Sequence, residues 1–126
     1  MPKSDPPIDR VRAIVAKLPD VGEGTTFGYP AFKVHDKTFA WFPKKKEVED
    51  GSLAVRMSFD ERDRRVAQKP DAYYVTPHYE HYTSILARTW ELTDAQLKEL
   101  VASGHAFMTG GNTPVSSRRA NAKKRR

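Results

Sequence analysis

A chain of 126 residues with 38% hydrophobic and 30% charged side chains is sized for one domain with a single modest core. It has no cysteine, which excludes disulfides, thiolate metal sites and a cysteine nucleophile, and fits a reducing cytosol. The formal charge of +6 has one source: residues 112–126, NTPVSSRRANAKKRR, hold six basic and no acidic side chains, and residues 1–111 balance 16 of each sign. The longest apolar run, FAWF (Phe39 to Phe42), is far short of a bilayer span, and the opening MPKSDPPIDR has no apolar stretch of the secretory kind, so a cytoplasmic protein is expected.

Taken in order, Ile8, Val11, Ile14, Val15 and Leu18 recur at spacings of three and four and predict a first helix, with Asp5 as N-cap, prolines in its first turn and Pro19 as its stop. GEGTTFGYP is glycine-rich and ends in proline, which suits a short extended segment or loop rather than a deep central strand. AFKV (31–34) and TFAWF (38–42) read as two strands around the bend His35-Asp36-Lys37. PKKKEVEDGS is a charged connection. LAVRMSF then alternates, with Leu53, Val55 and Met57 on one face and Ala54 and Arg56 on the other.

DERDRRVAQK reads as a polar helix capped by Ser58 or Asp60 and ended by Pro70. YYVTP is a brief extended piece and SILART (84–89) a further strand. TDAQLKELVASGHAFM opens with Thr93 and Gln96 in capping-box spacing and carries Leu97, Leu100 and Val101 on one stripe. Short links between successive strands favour antiparallel pairing. The fold class expected is α+β, an antiparallel sheet with helices packed on one face. It spans residues 1–111, and residues 112–126 form a disordered basic tail.

Several of these segments together resemble the YjbR/MmcQ family. The residues concerned are Leu18-Pro19, Glu23, Phe27-Gly28, Pro30-Ala31-Phe32-Lys33-Val34, Lys37, Phe39-Ala40, Glu61-Arg62 and Thr76-Pro77-His78-Tyr79, in order over residues 8 to 109. The resemblance implies a CyaY-like, double-wing arrangement, a bacterial setting and a DNA-binding label. It brings no reaction and no catalytic set. In that pattern an aromatic residue follows the TPHY turn, whereas this chain has Thr83-Ser84. The iron chemistry of frataxin-like relatives of the fold is not carried over, because Asp5 and Asp9 in the first helix are balanced by Lys3, Arg10, Arg12 and Lys17.

The stretch that looks most like chemistry is PHYEHY. His78, Glu80 and His81 have the residue types of a zinc site or an acid–base centre. On an extended strand, however, 78 and 81 face opposite ways, and Pro77 among tyrosines favours a structural turn leading into a strand. No catalytic set, metal site or cofactor is expected, and no GK[ST] loop follows the glycines.

For nucleic acid, Lys33, Lys37, Arg56 and Arg88 are expected to share a sheet face, with Tyr29 or Trp41 nearby to stack bases. Lys44, Lys45 and Lys46 lie in a wing-like loop whose lysines are offset by Glu47, Glu49 and Asp50. Arg118, Arg119, Lys123, Lys124, Arg125 and Arg126 supply non-specific affinity, with a log–log salt slope of about −5 on duplex DNA if all six neutralise phosphates. The leading expectation is therefore a non-enzymatic DNA-binding protein with no membrane partner. The alternatives are a small-molecule binder or enzyme with a cleft at Tyr29, His78, Tyr79 and Tyr82, and a plain interaction module.

Overall fold

The computed structural model describes residues 6–44 and 46–110. Helix α1 (Pro7–Val15) is followed by strands β1 (Val21–Thr26), β2 (Tyr29–Val34), β3 (Lys37–Trp41) and β4 (Ser52–Arg56). Then come helix α2 (Phe59–Gln68), strand β5 (Tyr73–Tyr74), a 3-10 turn at Pro77–Tyr79, strand β6 (Ser84–Arg88) and helix α3 (Asp94–Met108). The six strands form one antiparallel sheet in the order β1-β2-β3-β4-β6-β5. The glycine-rich β1 sits at an edge, where its backbone need pair on one side only.

Period-two alternation sorts the sheet into two faces. Val55 lies opposite Ile85 and, on the other parity, Ala54 lies opposite Leu86. The first set, with Phe32, Leu53 and Met57, is sealed beneath Leu97, Leu100 and Val101 of α3 and Val11 of α1. Each large side chain buried there contributes on the order of 1.5–3 kcal/mol. Ala31, Trp41, Ala54 and Leu86 face the other way and form a second, smaller cluster with Tyr79. The helices thus cover one face, as expected of the α+β class. Among the described residues no helix is long and apolar enough to cross a membrane.

The chain termini of the helices follow the expected chemistry with one correction. Ser58 Oγ accepts from Glu61 N at 3.2 Å, and Thr93 and Gln96 close both bonds of a capping box at 3.1 and 2.9 Å. At α1 the N-cap position is taken by Pro6 rather than Asp5, with no side-chain cap. The Pro6-Pro7 pair starts the helix because proline lacks an amide hydrogen that would need a partner there. Regular α-helix ends at Val15, and the chain continues to Leu18 through Lys17 N to Ile14 O and Leu18 N to Val15 O, both i to i−3.

Close approach of α3 to the sheet requires Gly104. A Cβ there would stand 2.5 Å from Val55 Cγ1 and 3.2 Å from the Phe39 carbonyl oxygen. Gly104→Ala is therefore expected to destabilise the fold by about 1–3 kcal/mol in denaturant unfolding, despite alanine's higher helix propensity.

Both early hairpins turn on two residues at positive φ: Phe27 and Gly28 at 54° and 82°, and His35 and Asp36 at 51° and 67°. That is the hairpin turn in which asparagine and aspartate at the first position are tolerated and a bulky residue is not. Phe27 nevertheless occupies it, with its ring 84% exposed. Phe27→Asn should leave the fold intact and raise its unfolding free energy by up to about 1 kcal/mol.

Candidate functional site

The sheet face away from the helices is roofed from two sides. On one side the segment between β5 and β6 folds over it. Thr76 and Tyr79 close the turn from Tyr79 N to Thr76 O at 2.9 Å, and Tyr82 N bonds Tyr79 O at 3.0 Å. Its shape is set from α2: the buried Arg62 donates from Nη1 to the Glu80 and Tyr82 carbonyls at 2.9 and 3.2 Å, while Nε bonds Asp63 at 3.0 Å. His78, Tyr79 and Tyr82 then pack together edge-on or tilted, with ring centroids 4.8, 5.7 and 6.0 Å apart, and Tyr79 leans on Trp41 at 6.3 Å. On the other side the β1–β2 hairpin curls over the sheet, so that the Thr26 hydroxyl meets the Thr38 hydroxyl of β3, two strands away.

Between the two roofs lies an open cavity of about 380 Å³, walled by Phe27, Trp41, His78, Tyr79 and Tyr82 and completed by Arg56 and Ser84. Among the described residues no carboxylate lines it. The Arg56 guanidinium donates from Nη2 to Thr83 Oγ1 at 2.9 Å, and its Nε is buried with no hydrogen-bond partner. Ser84 is 1% exposed and its hydroxyl likewise has none. Burial pushes the Tyr79 phenol above its ordinary pKa, so it stays protonated at neutral pH. A cation, a buried hydroxyl and flat apolar walls suit a ligand that combines a ring with oxygen acceptors.

A second groove of about 420 Å³ shares His78 with the first and is lined by Tyr29, Lys44, Lys46, Glu47, Val48 and Thr76. The Tyr29 hydroxyl donates to the Lys44 carbonyl at 3.2 Å, fixing the start of the lysine loop to the sheet. Lys44 Nζ stands 3.4 Å from Asp50. Lys45 lies outside the described residues, as do Arg118, Arg119, Lys123, Lys124, Arg125 and Arg126.

The four sheet cations do not converge. Lys33, on the same parity as Ala31, shares the open face with Arg56 and Arg88, but Arg56 and Arg88 stand at opposite ends of the β4–β6 pair, about four residues or roughly 13 Å apart along the strands. Arg88 is engaged by Glu49 at 2.7 Å, by the Pro70 and Asp71 carbonyls at 3.2 and 3.0 Å, and by the Tyr74 ring at 4.3 Å. Its guanidinium holds the Glu49 carboxyl below the usual carboxylate range. Lys37 is in register with Val34, whose side chain joins the helix-side core. Lys33 is half-buried and pairs in register with Gly22 of β1 on the edge side. Only Arg56 of this set reaches the cavity.

Tyr29, His78, Tyr79 and Tyr82, the residues of the alternative cleft, do come together along the two grooves. Among the described residues no three histidine, aspartate or glutamate side chains gather as metal ligands. Two cavity residues were not singled out from sequence, Phe27 and Ser84. Phe27 had a signal: a bulky residue before Gly28 within a two-residue hairpin turn. Ser84 also had one, since it stands where the family resemblance leads to an aromatic residue. The small side chain there leaves space beside Arg56.

A solved structure of the Deinococcus radiodurans protein DR2400, with the family-model domain DUF419, superposes with a TM-score of 0.65 at 16% identity, over 88% of this chain and 84% of that one, and so shares the fold. No curated protein matches the chain. The YjbR family model matches residues 16–106, from the end of α1 to the last turns of α3, and the chain belongs to that family.

Proposed function

We propose that the protein binds single-stranded nucleic acid through the open sheet face, without catalysing a reaction on it. The supporting observation is the recess of aromatic rings around Arg56, a cation with no acidic partner among the described residues. Bases present flat faces for stacking only when unpaired, and stacking on aromatic side chains tolerates any sequence. A duplex offers phosphates instead. The folded body suits that badly, because residues 1–111 are neutral overall and Arg88 is occupied by Glu49. The reading therefore keeps Arg56, Lys44 and Lys46 as the phosphate side of the surface, with the six basic residues beyond Gly111 adding affinity that is indifferent to sequence.

A binding role rather than an enzymatic one is favoured by the cavity's own chemistry. Among the described residues no base is hydrogen-bonded to Ser84 Oγ to take its proton, and His78 is engaged edge-on by the Tyr79 ring at 4.8 Å. The DNA-binding association of the family resemblance points the same way.

The test is fluorescence anisotropy with labelled oligo-dT and a duplex of equal length, at two salt concentrations. The single strand should bind more tightly. Tyr82→Ala and Phe27→Ala alter exposed rings, and each should weaken that binding about fivefold or more while leaving the unfolding transition in place. Replacing the six tail cations with glutamine should flatten the log–log salt slope by about 4 and keep the preference for the single strand. Preference for the duplex, or binding that vanishes with the tail charges and ignores Tyr82, would refute the reading.

A further inference from the structure

The cavity is more particular than a general strand-binding surface needs to be. Its volume of about 380 Å³ falls within the range of small-molecule sites, about 300–1,000 Å³. Among the described residues its lining contains one arginine and no carboxylate. Two of the three buried side-chain polar atoms without a partner among the described residues belong to it, Arg56 Nε and Ser84 Oγ; the third is Thr76 Oγ1, in the neighbouring groove. Leaving such groups unpaired costs stability; both atoms are sealed from solvent in the empty protein, so an entering oxygen pairs with them once the Arg56 side chain turns to meet it. At the mouth, Phe27 is held at a φ of 54° with its ring mostly in water, a conformation that hairpin stability alone would select against.

We infer that the cavity is a built site for one flat ring carrying a phosphate. The ring stands among Trp41, Tyr82 and Phe27, and the phosphate sits on Arg56 and Ser84. Two sources offer that chemistry: one nucleotide of a bound strand, or a free small aromatic phosphate. Only the first source rests on the strand-binding reading above. In either case the guanidinium gives directional hydrogen bonds as well as charge, so lysine would replace it only in part.

The experiment uses the full chain carrying Trp90→Phe, which leaves Trp41 as its one tryptophan. Fluorescence is titrated with thymidine 5′-monophosphate and phenyl phosphate, and with their uncharged counterparts thymidine and phenol. Both phosphates should change the Trp41 signal saturably, and the uncharged pair should bind at least tenfold more weakly. Arg56→Gln should abolish the preference for the phosphates, and Arg56→Lys should recover part of it. Ser84→Ala should weaken phosphate binding about threefold or more while leaving the thermal midpoint unchanged or raised, because it deletes a hydroxyl that is unpaired in the empty protein. A purely structural serine would not give that split.

The inference is overturned if neither phosphate gives a saturable change up to about 10 mM, or if the uncharged compounds bind as well as the charged ones. Oligo-dT separates the sources. If it changes the Trp41 signal and is displaced by thymidine 5′-monophosphate, the ligand is a nucleotide of the strand. If phenyl phosphate binds and oligo-dT does not, the cavity stands as a site for a free aromatic phosphate and the strand-binding reading falls. If oligo-dT binds through Tyr82 and no small phosphate binds, the strand-binding reading stands and this inference fails.

Discussion

Arg62 holds the open face in shape. It projects from the first turn of α2, is 8% exposed, and bonds two carbonyls of the segment that carries His78, Tyr79 and Tyr82. Charge-assisted hydrogen bonds of this kind are about twice as strong as neutral ones. Here they fix a stretch that has a two-residue strand on one side and only a 3-10 turn of its own. Without that clamp the three rings would lose their support over the sheet, and the recess beside Arg56 would have one wall fewer. The neighbouring Glu61 serves the same helix differently, accepting from Arg65 at 2.8 Å, while Arg65 also reaches Glu99 of α3 at 2.7 Å. The Glu61-Arg62 pair therefore links α2 both to the helical layer and to the turn on the far side of the sheet.

The same sheet does two different jobs with its two faces. The helix side is conventional core, closed tightly enough that α3 needs a glycine at 104 where it crosses β3 and β4. The other side is only partly filled. Its apolar cluster of Ala31, Trp41, Ala54, Leu86 and Tyr79 stops short of Arg56 and Ser84, and Arg56 Nε and Ser84 Oγ stay buried and unpaired. Incomplete packing on one face, with a strained aromatic turn residue above it, is the pattern expected where stability has been given up for contact with something else.

Much of the architecture was legible because it depends on local patterns. The capping box at Thr93 and Gln96, the alternation of Leu53, Val55 and Met57, and the proline stops needed no knowledge of the tertiary fold. The charge geography was not legible. Alternation correctly put Arg56 and Arg88 on one parity, but position along a strand and the arrival of Glu49 from a loop 39 residues away depend on how the chain closes in space. The cleft at His78, Tyr79 and Tyr82 was half legible: the composition of PHYEHY flagged it as unusual. That the β1–β2 hairpin would bend across to bring Phe27 against the same cavity required strand coiling, which residue spacing does not encode.

The most direct test of the central claim is a residue-resolved map of the contact. In two-dimensional 15N-correlated NMR spectra of the full chain, with and without oligo-dT, the account requires the largest shift changes at the Trp41 indole, the Arg56 Nε–H and the amides of Phe27, Tyr82 and Ser84. The helix-side amides of Leu97 to Val101 should scarcely move. Changes confined to residues beyond Gly111, with the cavity signals unmoved, would contradict it.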